Sequence, residues 1–206
     1  MKSMVERGSI RFGQLKEYRD SEQNQVGDPS EGAFSVNPFG EGKVQLLDEA
    51  SGEYKDVGTI TNGVAREFWN NNLSKRVFSI CYHVIMSKSV TQLSELIDPN
   101  LMTKFGYDSF VIIPNVNAFL ERVDKVLTLR NLYYSGRKVN YIGMDKKRTE
   151  LTPFDKDVKY IDQNEFRLVI DNPDAPEFIE LGSLEGIAHL FAKEDVSELS
   201  IHVQST

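Results

Sequence analysis

The sequence predicts a single α+β domain with a mostly antiparallel or mixed sheet, and three observations lead there. Phe166, Leu168 and Ile170 alternate with Arg167 and Val169, the period of a sheet strand. The run at 76–85 is apolar on both faces, as a central strand is. One stretch, 118–127, carries a clear helical stripe of Phe119, Leu120, Val123, Val126 and Leu127. No repeat, low-complexity tract or linker divides the 206 residues, so residues 1–206 read as one domain, long enough to bury roughly 70% of its unfolded surface.

In chain order, residues 9–15 read as a short strand with Ile10, Phe12 and Leu15 inward and Arg11 facing the other way. Residues 16–22 suit one or two helical turns. The stretch 24–32, rich in Gly, Asp, Pro and Ser, suits a surface loop. Strands are expected at 32–36 and 44–47, with a hairpin connection at 49–55. Leu93, Leu96 and Ile97 space as a helical face within 91–97, and Asp98-Pro99 marks a further helix start. Residues 108–113 form a strand closed by Pro114, after which Asn117 is placed to cap the 118–127 helix. Further strands are expected at 138–143, 177–181 and 199–203, with a helix at 183–191.

The composition, 40% hydrophobic and 27% charged, is that of an ordinary globular chain. No apolar run approaches the roughly 20 residues of a membrane span, and the first seven residues lack an apolar signal core, so a cytoplasmic protein without a membrane partner is expected. The single cysteine, Cys81, excludes an internal disulfide and a multi-cysteine zinc site. His83, His189 and His202 are far apart, and no metal-ligand spacing appears. Gly40-Glu41-Gly42 has no third glycine, which disfavours a phosphate loop. The formal charge of −7 argues against an extended phosphate-binding surface, although Lys146-Lys147-Arg148 and Lys75-Arg76 leave room for a local basic rim.

The residues with most chemical promise precede the late strand. Gln163 and Glu165, two apart, share one face of an extended backbone, with Tyr160 just upstream. An amide beside a carboxylate at a strand mouth can hold a sugar hydroxyl and steer a nucleophile. Arg11 lies in the first strand, and Ser79 is the odd member of the apolar run at 76–85.

Arg11, Ser79 and Gln163-Asn164-Glu165, in this order on three strands, resemble the Arg, Ser and Gln-x-Glu elements of the ADP-ribosyltransferase fold family. The pieces from Arg11 to Gly32, with Gly13-Gln14-Leu15 and Asp28-Pro29-Ser30-Glu31, and from Lys156 to Ile170, with the run Tyr160 to Arg167, also resemble a widespread set of uncharacterised bacterial and phage proteins. The first resemblance implies an NAD-dependent transferase of toxin or phage-defence type, acting on a protein or nucleic-acid acceptor and paired with an antitoxin or immunity protein. It implies that Glu165 stabilises the positive charge growing as nicotinamide departs, and that Gln163 positions the acceptor. Arg11 would clamp a phosphate of NAD, Ser79 would orient Glu165, and Tyr18 or Tyr160 would stack on nicotinamide. The family's serine is usually flanked by small hydroxyl residues, where this chain has Phe78 and Ile80.

Two other readings stay open. In one, the chain is a non-catalytic ligand-binding or interaction domain, in which Asp28, Glu31, Arg11 and Arg167 form a buried ion network holding a loop to the sheet. In the other, Asp28, Glu31 and Glu165 hold a divalent ion in a phosphodiesterase or nuclease.

Overall fold

The computed structural model, which describes residues 1–20, 28–81, 90–96, 102–103 and 106–202, has an α+β fold with mostly antiparallel strand pairing and few helices. Helix α1 (Lys2–Arg7) ends on Gly8 at φ 65, a left-handed position where a side chain would also collide with the carbonyl of Gly182. Strands β1 (Ser9–Arg11) and β2 (Gly13–Gln14) and helix α2 (Leu15–Asp20) follow. Strands β3 (Ala33–Asp48) and β4 (Glu53–Phe68) form one long ribbon, nearly all of β4 exposed. Next come α3 (Asn70–Leu73), β5 (Arg76–Cys81), β6 (Val90–Gln92), β7 (Ser109–Ile112), α4 (Val116–Leu129), β8 (Tyr134–Lys138), β9 (Asn140–Ile142) and β10 (Asp155–Asp157). A 3-10 helix, Val158–Gln163, leads into β11 (Glu165–Ile170), and β12 (Phe178–Glu180), β13 (His189–Ala192) and β14 (Ser200–His202) are the last strands among the described residues.

A four-stranded antiparallel sheet in the order β2-β5-β11-β8 organises the rest. Because side chains alternate along a strand, β11 divides cleanly. Phe166, Leu168 and Ile170 face α4, whose buried Phe119, Val123 and Leu127 meet them with Phe12, Ile10 and Ile179 in the main core. Glu165, Arg167 and Val169 face the opposite way, toward Leu15, Val77, Phe154 and Tyr18. β11 is therefore covered on both sides, and two of its buried side chains are charged. The remaining strands pair in twos, β9 with β10 being the one parallel pair among the described residues. No helix among the described residues is long and apolar enough to cross a membrane.

Several local expectations are corrected. Residues 32–36 and 44–47 belong to one continuous strand, because β4 pairs along the length of β3. In 91–97 the described residues hold the end of β6 and a 3-10 turn at Leu93–Glu95; the pairing of β6 with β14 wins over the helical spacing. Residues 138–143 split between two sheets: the Val139 N–H donates to the Glu165 carbonyl, and the chain then crosses to pair with β10. Residues 183–191 form no α-helix, since Gly182 and Gly186 take left-handed φ values of 78 and 77 and the segment ends in β13. The expected helix start at Asp98-Pro99, and the expected structure of 21–27, 82–89 and 203, lie outside the described residues.

The cap of the long helix is Asn115 rather than Asn117: its side-chain oxygen accepts from the Ala118 N–H at 3.0 Å, so α4 starts just after Pro114 and that asparagine. Asn115→Ala is expected to lower unfolding stability by about 1 kcal/mol while Asn117→Ala leaves it within about 0.5 kcal/mol, read from urea midpoints.

Candidate functional site

The odd face of β11 carries the candidate site. Arg167 lies at its centre, 3% exposed. Its Nη1 and Nη2 donate to the two oxygens of Glu31 at 2.6 and 3.0 Å, the paired geometry that suits a guanidinium and a carboxylate. Its Nε donates to Glu165 Oε2 at 2.9 Å, and Nη1 also donates to the Pro153 carbonyl at 2.6 Å. Lys156 closes the group from β10, donating to Glu165 Oε1 at 2.6 Å and to Gln163 Oε1 at 2.7 Å, with Glu31 Oε2 at 3.7 Å. Glu31 and Glu165 balance Arg167 and Lys156, so the buried quartet is neutral.

This balance governs the titration of the group. Burial alone would push the Glu165 carboxyl up, but the charges of Arg167 and Lys156 and their hydrogen bonds reverse that and hold it at about 2. Burial likewise works against the Arg167 charge, yet Glu31 and Glu165 more than offset it and raise its pKa. Asp28 adds a carboxylate beyond the neutral set. Burial raises its pKa, against acceptance from the Ser30 N–H at 2.9 Å and the Asp157 N–H at 3.5 Å. Those bonds, with the Glu31 N–H donating to the Asp28 carbonyl, fold residues 28–31 into a tight turn that delivers Glu31 to Arg167.

The structure brings some of the expected site residues together and leaves others apart. Glu165 and Gln163 meet on one lysine, though not by the expected route. Gln163 ends the 3-10 helix and Asn164 takes φ 39, so the backbone between them is turned rather than extended. Ser79, half-buried, lies directly across from Arg167 in the β5–β11 register, on the face that carries Glu165. Tyr160 presents its ring 5.1 Å from the Lys156 ammonium and 4.9 Å from that of Lys159, and burial raises its phenol pKa.

Tyr18 covers the same side of the sheet: its phenol stands where a side chain on Gly13 would be, 2.9 Å from that position, and donates to the Val77 carbonyl at 3.4 Å. Burial raises the Tyr18 pKa, against the charges of Arg11 and Arg167. Arg11 is nevertheless not part of the buried network expected to contain it. It is half exposed and held by Glu177 at 2.6 Å and Glu17 at 2.7 Å, and the Glu177 hydrogen bond chiefly raises its pKa. Lys156 occupies the position in the network that Arg11 was expected to fill. The sequence carries a signal for it: Phe154 and Lys156 are two apart at a strand, so a buried Phe154 turns Lys156 inward as well.

The expected divalent site among Asp28, Glu31 and Glu165 meets the same two cations. Lys156 and Arg167 stand between Glu31 and Glu165, and among the described residues no three side chains of the His, Cys, Asp or Glu type converge to hold a metal. The Cys81 side chain, His83 and the His202 side chain lie outside the described residues, and His189 is exposed on β13.

Beside the quartet the same face opens into a depression of about 330 Å³, which the sequence did not suggest. Its wall includes Trp69, stacked on Phe34 with ring centres 3.7 Å apart, and Arg137, whose guanidinium lies 4.1 Å over the Phe154 ring. Arg137 pairs with Arg167 across the β8–β11 register, so it belongs to the same face. Pro153, which caps Arg167, also lines the opening. Compared with known protein families, curated proteins and solved structures, the chain matches none.

Proposed function

We propose that the chain is a non-catalytic ligand-binding domain, whose binding face is the side of the four-stranded sheet that carries Arg167. The carrying observation is the saturation of Glu165: each of its oxygens accepts from a different cation, and the residue is 8% exposed. A carboxylate already compensated twice over has little field left for a cation developing on a substrate. What the quartet does supply is rigidity. It joins the 28–31 turn, β10, β11 and the Pro153 carbonyl at one point, and so gives the neighbouring depression a firm floor.

A second reading, an NAD-dependent ADP-ribosyltransferase of toxin or phage-defence type, draws support from topology. β5 lies alongside β11, Ser79 faces Arg167, and Gln163 and Glu165 share one lysine. In that reading Glu165 stabilises the departing-nicotinamide transition state, Gln163 positions a protein or nucleic-acid acceptor, and Arg11, Ser79, Tyr18 and Tyr160 hold NAD. An antitoxin or immunity protein would cover the face.

Labelled NAD, incubated with the chain and with separate protein, RNA and DNA fractions, tests the two readings together. The expected result is no transferred label and no released nicotinamide, with Glu165→Gln lowering unfolding stability. Transfer that Glu165→Gln reduces on the order of 10²-fold, in a variant that still melts cooperatively, would replace the binding reading with the transferase.

A further inference from the structure

Resting on that binding reading, we infer that the depression receives a free mononucleotide, its base on Trp69 and its phosphate on Arg137. Trp69 is 50% exposed, and its indole lies nearly parallel to Phe34, at 12°. One face of the indole is thus spent on Phe34, and a planar base laid on the other would extend the stack. A tryptophan held flat by a second ring loses little freedom when a third ring arrives.

Arg137 supplies the anion-binding half. Its guanidinium carbon lies 4.1 Å over the buried Phe154 ring, a contact that restrains an otherwise exposed side chain. No carboxylate among the described residues pairs with it, in contrast to Arg11 and Arg167. Such a restrained fork at the edge of an opening suits a phosphate.

Charge and size narrow the ligand further. The depression carries Lys75 and Arg137 against Glu150 and Asp171, and Lys75 is already shared with Asp171 at 3.3 Å. Among the described lining residues that pairing leaves Arg137 and Glu150, so a single guanidinium is offered to an anion, which matches a single phosphate better than a triphosphate. Glu150, held at a left-handed φ of 59, adds a carboxylate able to accept from ribose hydroxyls. The volume, about 330 Å³, lies at the small end of ligand sites. The chain's charge of −7 disfavours a long nucleic-acid strand.

Because Trp69 is the chain's single tryptophan, its fluorescence reports on the base directly. AMP, adenosine, inorganic phosphate and NAD are titrated onto the full chain. AMP is expected to quench saturably, adenosine to bind at least tenfold more weakly, and phosphate to compete with AMP without quenching. Arg137→Gln should lose at least tenfold in AMP affinity, bind AMP and adenosine alike, and melt as the native chain does. By calorimetry, Trp69→Ala should lose tenfold in AMP affinity and Trp69→Phe less than threefold. No saturable quenching by AMP at millimolar concentration, equal binding of AMP and adenosine by the native chain, or unchanged affinity in Arg137→Gln would overturn the assignment. So would binding of a short oligonucleotide but not of AMP. Nicotinamide released from NAD would overturn the non-catalytic reading instead, and would leave a measured AMP site standing.

Discussion

Arg167→Ala is expected to cost the fold about 3–5 kcal/mol, a large share of the roughly 5–15 kcal/mol an ordinary domain possesses. The reason lies in what the substitution leaves behind. Glu31 and Glu165, 2% and 8% exposed, would keep their charges with Lys156 alone to share, and the Pro153 carbonyl would lose its donor. Urea unfolding followed by circular dichroism measures the loss, and a shift below about 1 kcal/mol would show that water reaches the quartet. The complementary experiment removes all four charges together, as Glu31→Leu, Lys156→Met, Glu165→Leu and Arg167→Met in one chain. A neutral buried set exchanged for apolar side chains of similar volume should recover most of the stability lost by the single variant. If that fourfold variant still binds nucleotide, the quartet acts as architecture; if it folds but no longer binds, the charges shape the ligand face as well.

The parts of this arrangement that were legible in the sequence are those in which neighbours along the chain report on a shared surface. The alternation in β11 separates Phe166, Leu168 and Ile170 from Arg167 and Val169, and the structure sends the two sets to opposite faces. The stripe on α4 likewise places Phe119, Val123 and Leu127 in the core. Asp28, Glu31 and Arg167 stood out because charged residues near apolar strands need partners, but which cation completes the set depends on where β10 lands. Its parallel pairing with β9 is a contact between distant segments that no local period encodes. Lys156 therefore stands in the network in which Arg11 was expected. The depression is hidden for the same reason: Trp69 meets Phe34 because β3 and β4 pair Ala33 with Phe68, and Arg137 meets Phe154 across two sheets. Neither ring pair has a signature in spacing. Gln163 and Glu165 illustrate a further case, in which the expected neighbours do meet, but through the left-handed turn at Asn164.

Acidification supplies the second large effect. Glu165 titrates at about 2 in the folded chain, against an ordinary value of 4.5, so its ionised form is bound more tightly in the fold than in the unfolded chain. A carboxylate depressed in this way contributes stability that is complete above the unfolded pKa and disappears as pH falls toward the folded one, here between about 4.5 and 2. The amount at stake is roughly 3 kcal/mol. Asp28 acts in the opposite sense. Its pKa is raised by burial, so the fold takes up that proton more readily than the unfolded chain, and stability increases as pH falls through its folded value. Urea midpoints should therefore drop steeply between pH 4.5 and pH 2, with Asp28 opposing part of that drop. Asp28→Asn should remove the opposition and keep the drop, whereas Glu165→Gln should start from a lower stability and fall much less between pH 4.5 and pH 2.5. Parallel slopes for Glu165→Gln and the native chain in that interval would mean that the acid sensitivity arises elsewhere, and that Lys156 and Arg167 do not hold the Glu165 charge as their distances indicate.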